Sequence, residues 1–514
     1  MQKQEIFNIF ILFILSFSVN YYYGSLGVFP IDTFAFFDSA NLINKGLLPI
    51  RDYWTSNGFL VDILQSFFFK LFGVNWFAYL LHSSLLNFIF AYLTYRFLIF
   101  EGLSSISSLF YSACVAILAY SSAGVPFPDH HSLILSIISI YALIYAFRNK
   151  SSIFIFISLL FLVLAFLSKQ TPAGMFLIMF SIYVVLYSIE IKSFSFIKNS
   201  FIFILLLIFS ILVLLIINKI GIKNFIIQYL FFPLTIGVER SSNFKFIFIL
   251  KSFIGEYKFF LLAILTIFYQ FVSLKNKKFA NLFETKIVFL FVVLIAIINQ
   301  EIMKNQNIIF FLLPIIFGII HSQIKLTKKI NKTAIVLSII LINTFITLKY
   351  HERFNMDRKF MDLQNIDKSN YISGEEISSN LKGLKWVTKA NQTNLKDEVN
   401  LIKKSIKYLK NNKDNSIIIS EYQFINSEID HNIYSPNRWY TNDGVSYPLS
   451  KNIYREYYID FFKQKLFDKD IKNIFTILPI DQKSFDFIFK SNCIKSISIN
   501  KILFKHELLN CFER

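Results

Sequence analysis

Charge is what this chain has least of for its size. Only 17% of its 514 residues are Asp, Glu, Lys or Arg, while 55% are hydrophobic. A water-soluble domain carries about a quarter charged residues and spaces its apolar ones periodically. Here the apolar residues run unbroken: Ser200–Ile217 carries no charge. Cysteine is scarce too, at three residues, and no Cys/His spacing has the form of a structural zinc site. Cys114 sits in an apolar run and reads as a small packing residue. Cys493 and Cys511 lie near the C-terminus and either pair as a disulfide or remain thiols. No small-residue cleavage site follows the first apolar run, Ile6–Tyr23, which therefore reads as a retained span and not a removed leader. No internal repeat is present.

What remains is a string of hydrophobic segments rich in phenylalanine, 63 in all. A run of about 20 apolar residues matches the hydrocarbon thickness of a bilayer at about 1.5 Å rise per residue. Continuous, non-alternating hydrophobicity selects helices over a barrel. After the first run, spans are expected near Trp76–Phe97, Ile106–Ser121, Ser132–Phe147, Ile153–Leu167 and Ala173–Tyr187. Others are expected near Phe201–Ile217, Phe259–Val272, Ile287–Ile298, Ile308–Ile320 and Ala334–Leu348, for about eleven in all. The fold class predicted is a polytopic α-helical membrane protein over residues 1–349, followed by a soluble α/β domain over 350–514.

Orientation follows from the loops. With the N-terminus inside, the short inner loops hold Arg148 and Lys150, then Lys192 and Lys198. Next come Lys275, Lys277, Lys278 and Lys286, and last Lys325, Lys328, Lys329 and Lys332. This positive-inside pattern predicts a multi-pass protein of a bacterial inner (cytoplasmic) membrane, with a cytoplasmic N-terminus and a periplasmic C-terminal domain. It also accounts for the net charge of +19, so no nucleic-acid partner is expected. In the C-terminal part, Lys396–Lys410 and Ile453–Phe467 read as helices, and Ser416–Ser420 and Asn473–Leu478 as buried strands.

Two outer segments are long. Asn218–Lys258 mixes aromatic and basic residues and reads as interfacial. Gly24–Asn75 reads as one or two short amphipathic helices on the membrane surface. This second segment holds Asp32 and Asp38, then Leu48-Pro-Ile-Arg51-Asp52-Tyr-Trp54, Asn57-Gly58, and Phe68-Phe-Lys70-Leu-Phe-Gly73. Charges beside a membrane bundle are costly, so each asks for a reason.

The segment resembles the first outer loop of GT-C class membrane glycosyltransferases. That class includes protein O-mannosyltransferases and the transferase that adds aminoarabinose to lipid A. Asp32 falls where the family places its catalytic acid. Thr33 stands where members often have Glu, and Asn57-Gly58-Phe59 replaces the family's Pro-Pro or Gly-Pro. Pro128-Asp129-His130-His131 matches the position of an outer-loop Asp. Leu167-Ser168-Lys169-Gln170-Thr171-Pro172 is similar to the family's Leu-Thr-Lys-Gly stretch, and Lys304-Asn305-Gln306-Asn307 is a weaker echo. The resemblance covers roughly the first 320 residues and rests on the order of motifs and their common outer face. It implies transfer of a sugar from a polyprenyl-phosphate donor to a glycan, lipid or protein acceptor of the cell envelope.

The chemistry agrees with these residue types. Inverting transfer needs a carboxylate to take the acceptor's proton, and positive charge or a metal to stabilise the departing phosphate. Asp32 is the candidate base, with Asp38, Asp52 and Asp129 as supporting acids. Lys169, Arg51 and Arg240 are the candidates for the phosphate. Asp129, His130 and His131 carry the donor types of a divalent-metal site. Trp439 and Tyr440, within Arg438-Trp439-Tyr440 and near Asp443-Gly444, are candidates for contact with sugar or acceptor.

Each residue has a structural alternative. Asp32 and Asp129 would cap helices. Asp38 would pair with Arg51, or Arg51 and Asp52 would fix their loop. Lys169 would snorkel to the interface, and Trp439 would anchor a turn. A transporter or flippase of lipid-linked sugars would need charges or broken helices near the bilayer midplane. A non-catalytic envelope scaffold would leave Asp32, Arg51 and Lys169 apart.

Overall fold

The computed structural model describes residues 3–121, 124–242, 244–272, 282–303, 309–324, 332–355, 369–388, 394–430, 433–489 and 493–509. Helix α1 (Lys3–Ser25) leads into a long connection holding α2 (Pro30–Asn44) and α3 (Phe59–Phe72). Then come α4 (Trp76–Phe100), α5 (Ser105–Leu118), α6 (Pro128–Asn149), α7 (Ser152–Ser168), α8 (Gln170–Glu190) and α9 (Ser195–Ile217). A second long connection carries α10 (Ile222–Phe225), a π-helical stretch (Ile226–Phe231), α11 (Phe232–Ser242) and α12 (Phe246–Ile254). The helical part closes with α13 (Lys258–Val272), α14 (Thr285–Met303), α15 (Leu312–Ile324) and α16 (Lys332–Asn355).

Among the described residues, α1, α4, α6, α8, α9, α14 and the Thr333–His351 part of α16 are long and apolar enough to cross a membrane. Helices α5 and α7, the Lys258–Phe268 part of α13, and α15 are shorter apolar helices. This is the make-up of a multi-pass membrane protein.

Side-chain size decides which helix goes where. Helix α6 carries Ser132, Ser136 and Ser139, all buried, and packs closely on α7. Ser139 and Ser158 share a hydrogen bond of 2.8 Å across that contact. Small hydroxyl residues let helix backbones approach in a setting where apolar attraction alone does not sort them. From Phe201 onward helix α9 is almost purely Ile, Leu and Phe and leaves Phe201, Leu205, Phe209 and Leu214 exposed.

The bundle has two distinct ends. At one, Arg148 Nη2 donates to Glu101 Oε2 at 2.9 Å and to Thr285 Oγ1 at 2.7 Å, joining the ends of α4, α6 and α14. At the other end lie the long connections and the C-terminal region. Lys275, Lys277, Lys278, Lys325, Lys328, Lys329 and the Lys304–Asn307 motif fall outside the described residues.

The C-terminal region starts with a small ribbon of β1 (Ile372–Ser373) and β2 (Lys385–Trp386). Helix α17 (Leu395–Asn411) precedes β3 (Ser416–Ser420) and β4 (Ile433–Tyr434). Helix α18 (Arg455–Asp468), β5 (Asn473–Ile477), α19 (Gln482–Ile488), β6 (Ile494–Ser498) and β7 (Leu503–Leu508) complete it. The sheet order is β4-β3-β5-β7-β6, parallel across the first three strands and antiparallel at β7 and β6. Strands β3 and β5 are buried along their whole length, which suits continuous apolar strands covered on both faces. Cys493 is disulfide-bonded and Cys114 is free; Cys511 lies outside the described residues.

One expectation needs correcting. Helix α2 does not lie on a surface: every residue from Thr33 to Leu42 is buried. Its Phe34 and Phe37 share one core with Trp76, Phe127, Trp386, Phe424 and Phe475. Residues 24–75 and the C-terminal region therefore meet in a common apolar interior, and backbone bridges join Leu26 to Lys385 and Trp54 to Asn437. Only α3 keeps an exposed apolar side, at Phe67, Leu71 and Phe72.

Candidate functional site

A cavity of about 740 Å³ opens at the end of the bundle that carries the long connections. Its wall takes residues from the α1–α4, α5–α6, α7–α8 and α9–α13 connections, the end of α14 and the 439–445 loop. Alternate connections in an up-and-down bundle lie at the same end, so chain order alone brings these segments together.

Asp32 lines the cavity from the first turn of α2. Pro30 starts that helix, and Thr33 Oγ1 accepts from the N–H of Phe29 at 3.1 Å. The Asp32 side chain is half-buried in the cavity wall. Asp129 occupies the matching place in the first turn of α6. There it meets Lys169, whose Nζ lies 2.7 Å from both carboxylate oxygens.

Lys169 is placed by the break between α7 and α8. Its backbone is extended (φ −158°, ψ 139°), and its carbonyl accepts from Ser132 Oγ at 2.9 Å. Next to it, the N–H of Gly58 donates to Ser168 O at 2.8 Å. Gln170 Nε2 donates to the carbonyls of Ser56 (2.8 Å) and Tyr229 (2.7 Å). The break is thus clamped to both long connections. Arg240 reaches the cavity from the last turn of α11, its Nη1 3.5 Å from Met303 Sδ, and makes no ion pair among the described residues.

Aromatic side chains complete the wall, among them Phe29, Phe36, Phe127, Phe166 and Phe231. From the C-terminal region come Trp439 and Asp443. Asp443 Oδ1 also accepts from the N–H groups of Val445 (2.9 Å) and Ser446 (3.2 Å), which shapes the turn that presents it. The result is a largely apolar chamber with three carboxylates and two cations facing into it.

Several predicted residues lie elsewhere. Arg51 and Asp52 pair with each other at 2.7 Å, outside the cavity wall. Asp52 Oδ2 accepts from the N–H of Leu48 at 2.7 Å, and Arg51 donates to Gly46 O and Asn218 O. Both fix the loop. Asp38 points away from the cavity, is buried, and accepts from Asn426 Nδ2 at 2.8 Å. Burial raises its pKa to about 7 against the pull of Asn426 and Lys45. Tyr440 is packed into the core beneath the cavity with Tyr447 and Tyr458.

The two histidines turn into the bundle. His130 Nε2 is 2.5 Å from Ala119 O, and His131 bonds Phe127 O and His82 Nε2 (2.9 and 3.1 Å). They do not converge with Asp129. No group of three His, Cys, Asp or Glu able to hold a metal occurs among the described residues. The donor set expected for a divalent cation is therefore not assembled there.

Sequence reading passed over Asp62 and met Arg438 only as part of the Arg438-Trp439-Tyr440 motif; the two form a fully buried ion pair beside the cavity. The signal was present: Asp62 is the lone charge in the apolar stretch Phe59–Phe69. Asp443 was visible only as part of a turn motif. No protein-family model matches this chain, and no curated protein matches it.

Proposed function

We propose that the chain is a GT-C-like inverting glycosyltransferase acting on a polyprenyl-phosphate sugar donor at the periplasmic face of a bacterial inner membrane. If the four shorter apolar helices among the described residues cross as well as the seven longer ones, the crossings number about eleven. An odd count would set the two termini on opposite sides, and the basic connections support a cytoplasmic N-terminus.

The observation that carries the reading is the shared cavity of Asp32, Asp129–Lys169 and Arg240. In the proposed reaction Asp32 takes the proton of an acceptor hydroxyl as its oxygen bonds to the anomeric carbon. The bond from that carbon to the phosphate oxygen breaks, and the phosphate leaves with the electron pair. Lys169 and Arg240 would face the charge that develops on it. Lys169 is already engaged by Asp129, so Arg240 is the less committed cation. The aromatic wall suits the isoprenoid next to the phosphate, and Trp439 offers a ring for stacking on a sugar. A transporter would instead need charge at mid-span, whereas these charges gather at one end.

The test is mass analysis of envelope glycans, glycolipids and glycoproteins from cells with the gene, without it, and with Asp32→Asn. A glycoform lost on deletion should return with the wild-type gene and not with Asp32→Asn. Full restoration by Asp32→Asn would remove Asp32 from the chemistry, and no glycan difference on deletion would overturn the transfer reading.

A further inference from the structure

The C-terminal region is keyed to the cavity through one side chain. Arg438 is buried, and its guanidinium reaches three segments of the first connection. Nη2 pairs with the Asp62 carboxylate on α3, Nη1 donates to the carbonyl of Asn57, and Nε lies 3.2 Å from Ser39 Oγ on α2. The same guanidinium packs against two rings, its Cζ 4.8 Å from the centroid of Phe36 and 5.3 Å from that of Trp439. Those rings meet edge to face at 6.4 Å. Asn57, Phe36 and Trp439 all line the cavity, whereas Arg438 and Asp62 stand behind its wall.

The backbone is shaped to admit this arrangement. Gly58 has φ +74°, and a Cβ there would lie 2.5 Å from Phe36 Cε1 and 2.8 Å from Arg438 Nη1. Only glycine takes that conformation freely and leaves room for the guanidinium. The N–H of Gly58 in turn holds Ser168, the residue before Lys169. Short backbone bonds add to the joint, with Trp54 N–H on Pro436 O at 2.8 Å and Arg438 N–H on Trp54 O at 3.1 Å.

A buried ion pair can be replaced by apolar residues with little loss of stability, so stability alone does not explain its use. What a planar, five-donor guanidinium adds is fixed geometry among several partners at once. We propose that Arg438 is a positioning residue: paired with Asp62, it holds the Trp439 ring and the Asn57 carbonyl as one wall of the cavity. The effect of this wall on transfer rests on the glycosyltransferase reading; its geometry does not.

Fluorescence separates the two. Of the four tryptophans, Trp54, Trp76 and Trp386 are fully buried, and Trp439 alone faces the cavity. Acrylamide quenching of the purified full-length protein in detergent, corrected with its Trp439→Phe counterpart, therefore reports on Trp439. The double variant Arg438→Met/Asp62→Leu removes both charges and should melt close to wild type. Its Trp439 quenching constant should still rise about twofold as the ring loosens. Arg438→Lys keeps a charge for Asp62 but loses the planar contacts, and should show the same rise if the double variant fails to fold. Wild-type quenching in whichever of these folds would overturn the proposal. In cells the same variants should lower transfer about tenfold or more, as expected when a substrate-facing group shifts by about 1 Å. Raised quenching in a protein whose deletion changes no glycan would leave the wall assignment standing and remove the transferase reading.

Discussion

The helical bundle and the seam beneath its cavity are both tightly packed, yet they are held by different means. In the bundle, buried residues are mostly Ile, Leu, Val, Phe and Tyr, and many serines bond back to a carbonyl one turn earlier, as Ser136 does to Ser132. In the seam, side chains far apart in sequence exchange charge-assisted bonds. Asn426 donates to Asp38, Lys45 Nζ donates to the carbonyls of Asn426 (3.1 Å) and Ile429 (2.7 Å), and Arg438 pairs with Asp62. Apolar helices can slide or rotate against one another at modest cost. A buried charge tolerates one partner and one geometry. The seam sets the register of the two regions, and the cavity lies where register matters.

That contrast can be broken at several points. The largest effect is expected from Asp32→Asn, which should cut transfer about a hundredfold or more, the usual worth of a positioned general base. Its thermal melt should stay close to wild type, because Asn keeps the shape of the side chain and its site in the cavity wall; a large drop in melting temperature would return Asp32 to a structural role. Arg438→Met alone should cost about 3–5 kcal/mol, since it leaves Asp62 buried without its counter-charge. Thermal melts in detergent would show this, and an unchanged melt would mean that Asp62 is protonated or reached by water.

Gly124→Ala probes backbone contact where the first and third connections cross. Gly124 has φ +69°, and a Cβ would run into the backbone of Gly24. A loss of about 1–3 kcal/mol is expected from the overpacking. An equal loss from Gly174→Ala, where nothing lies within 4 Å of the added carbon, would show that the contact is not the cause.

The smallest effect is a change of slope with pH. Burial raises Asp38 to about 7 from 3.8 and lowers the pKa of Lys45. Burial pushes Asp62 upward as well, opposed by the Arg438 guanidinium bonded to it. The two folded carboxyls therefore hold protons that the unfolded chain has already released, whereas folded Lys45 gives up its proton at a lower pH than the unfolded chain does. The contribution of the raised carboxyls should be fully present below about pH 4 and be lost as pH rises to about 7, while that of Lys45 runs the other way, gained only as pH climbs from its lowered value toward 10.5. Asp38→Asn keeps the bond to Asn426 and should flatten part of that fall; an unaltered slope would place the titration elsewhere.

How far the sequence reaches differs between these same regions. The apolar runs of the bundle are legible because lipid imposes one rule on every residue of a span, and that rule shows as composition. Strands β3 and β5 and helices α17 and α18 were readable for a similar local reason. The pairing of Asp129 with Lys169 was not readable, although both residues stood out, because nothing local says how α6 and the α7–α8 break face each other. Arg51 looked like a ligand for phosphate and closes its own loop instead. Asp38 looked like a cavity acid and is spent on the seam. Asp62 and Arg438 lie 376 residues apart, and neither names the other.

Hydrophobic length and continuity, properties of neighbours along the chain, determined by themselves that this is a multi-pass membrane protein with a polar C-terminal region. Which charges meet was decided only by the packing of helices and sheet. Burial makes a carboxylate depend on whichever partner the fold brings within about 3 Å, and chain order does not encode that distance.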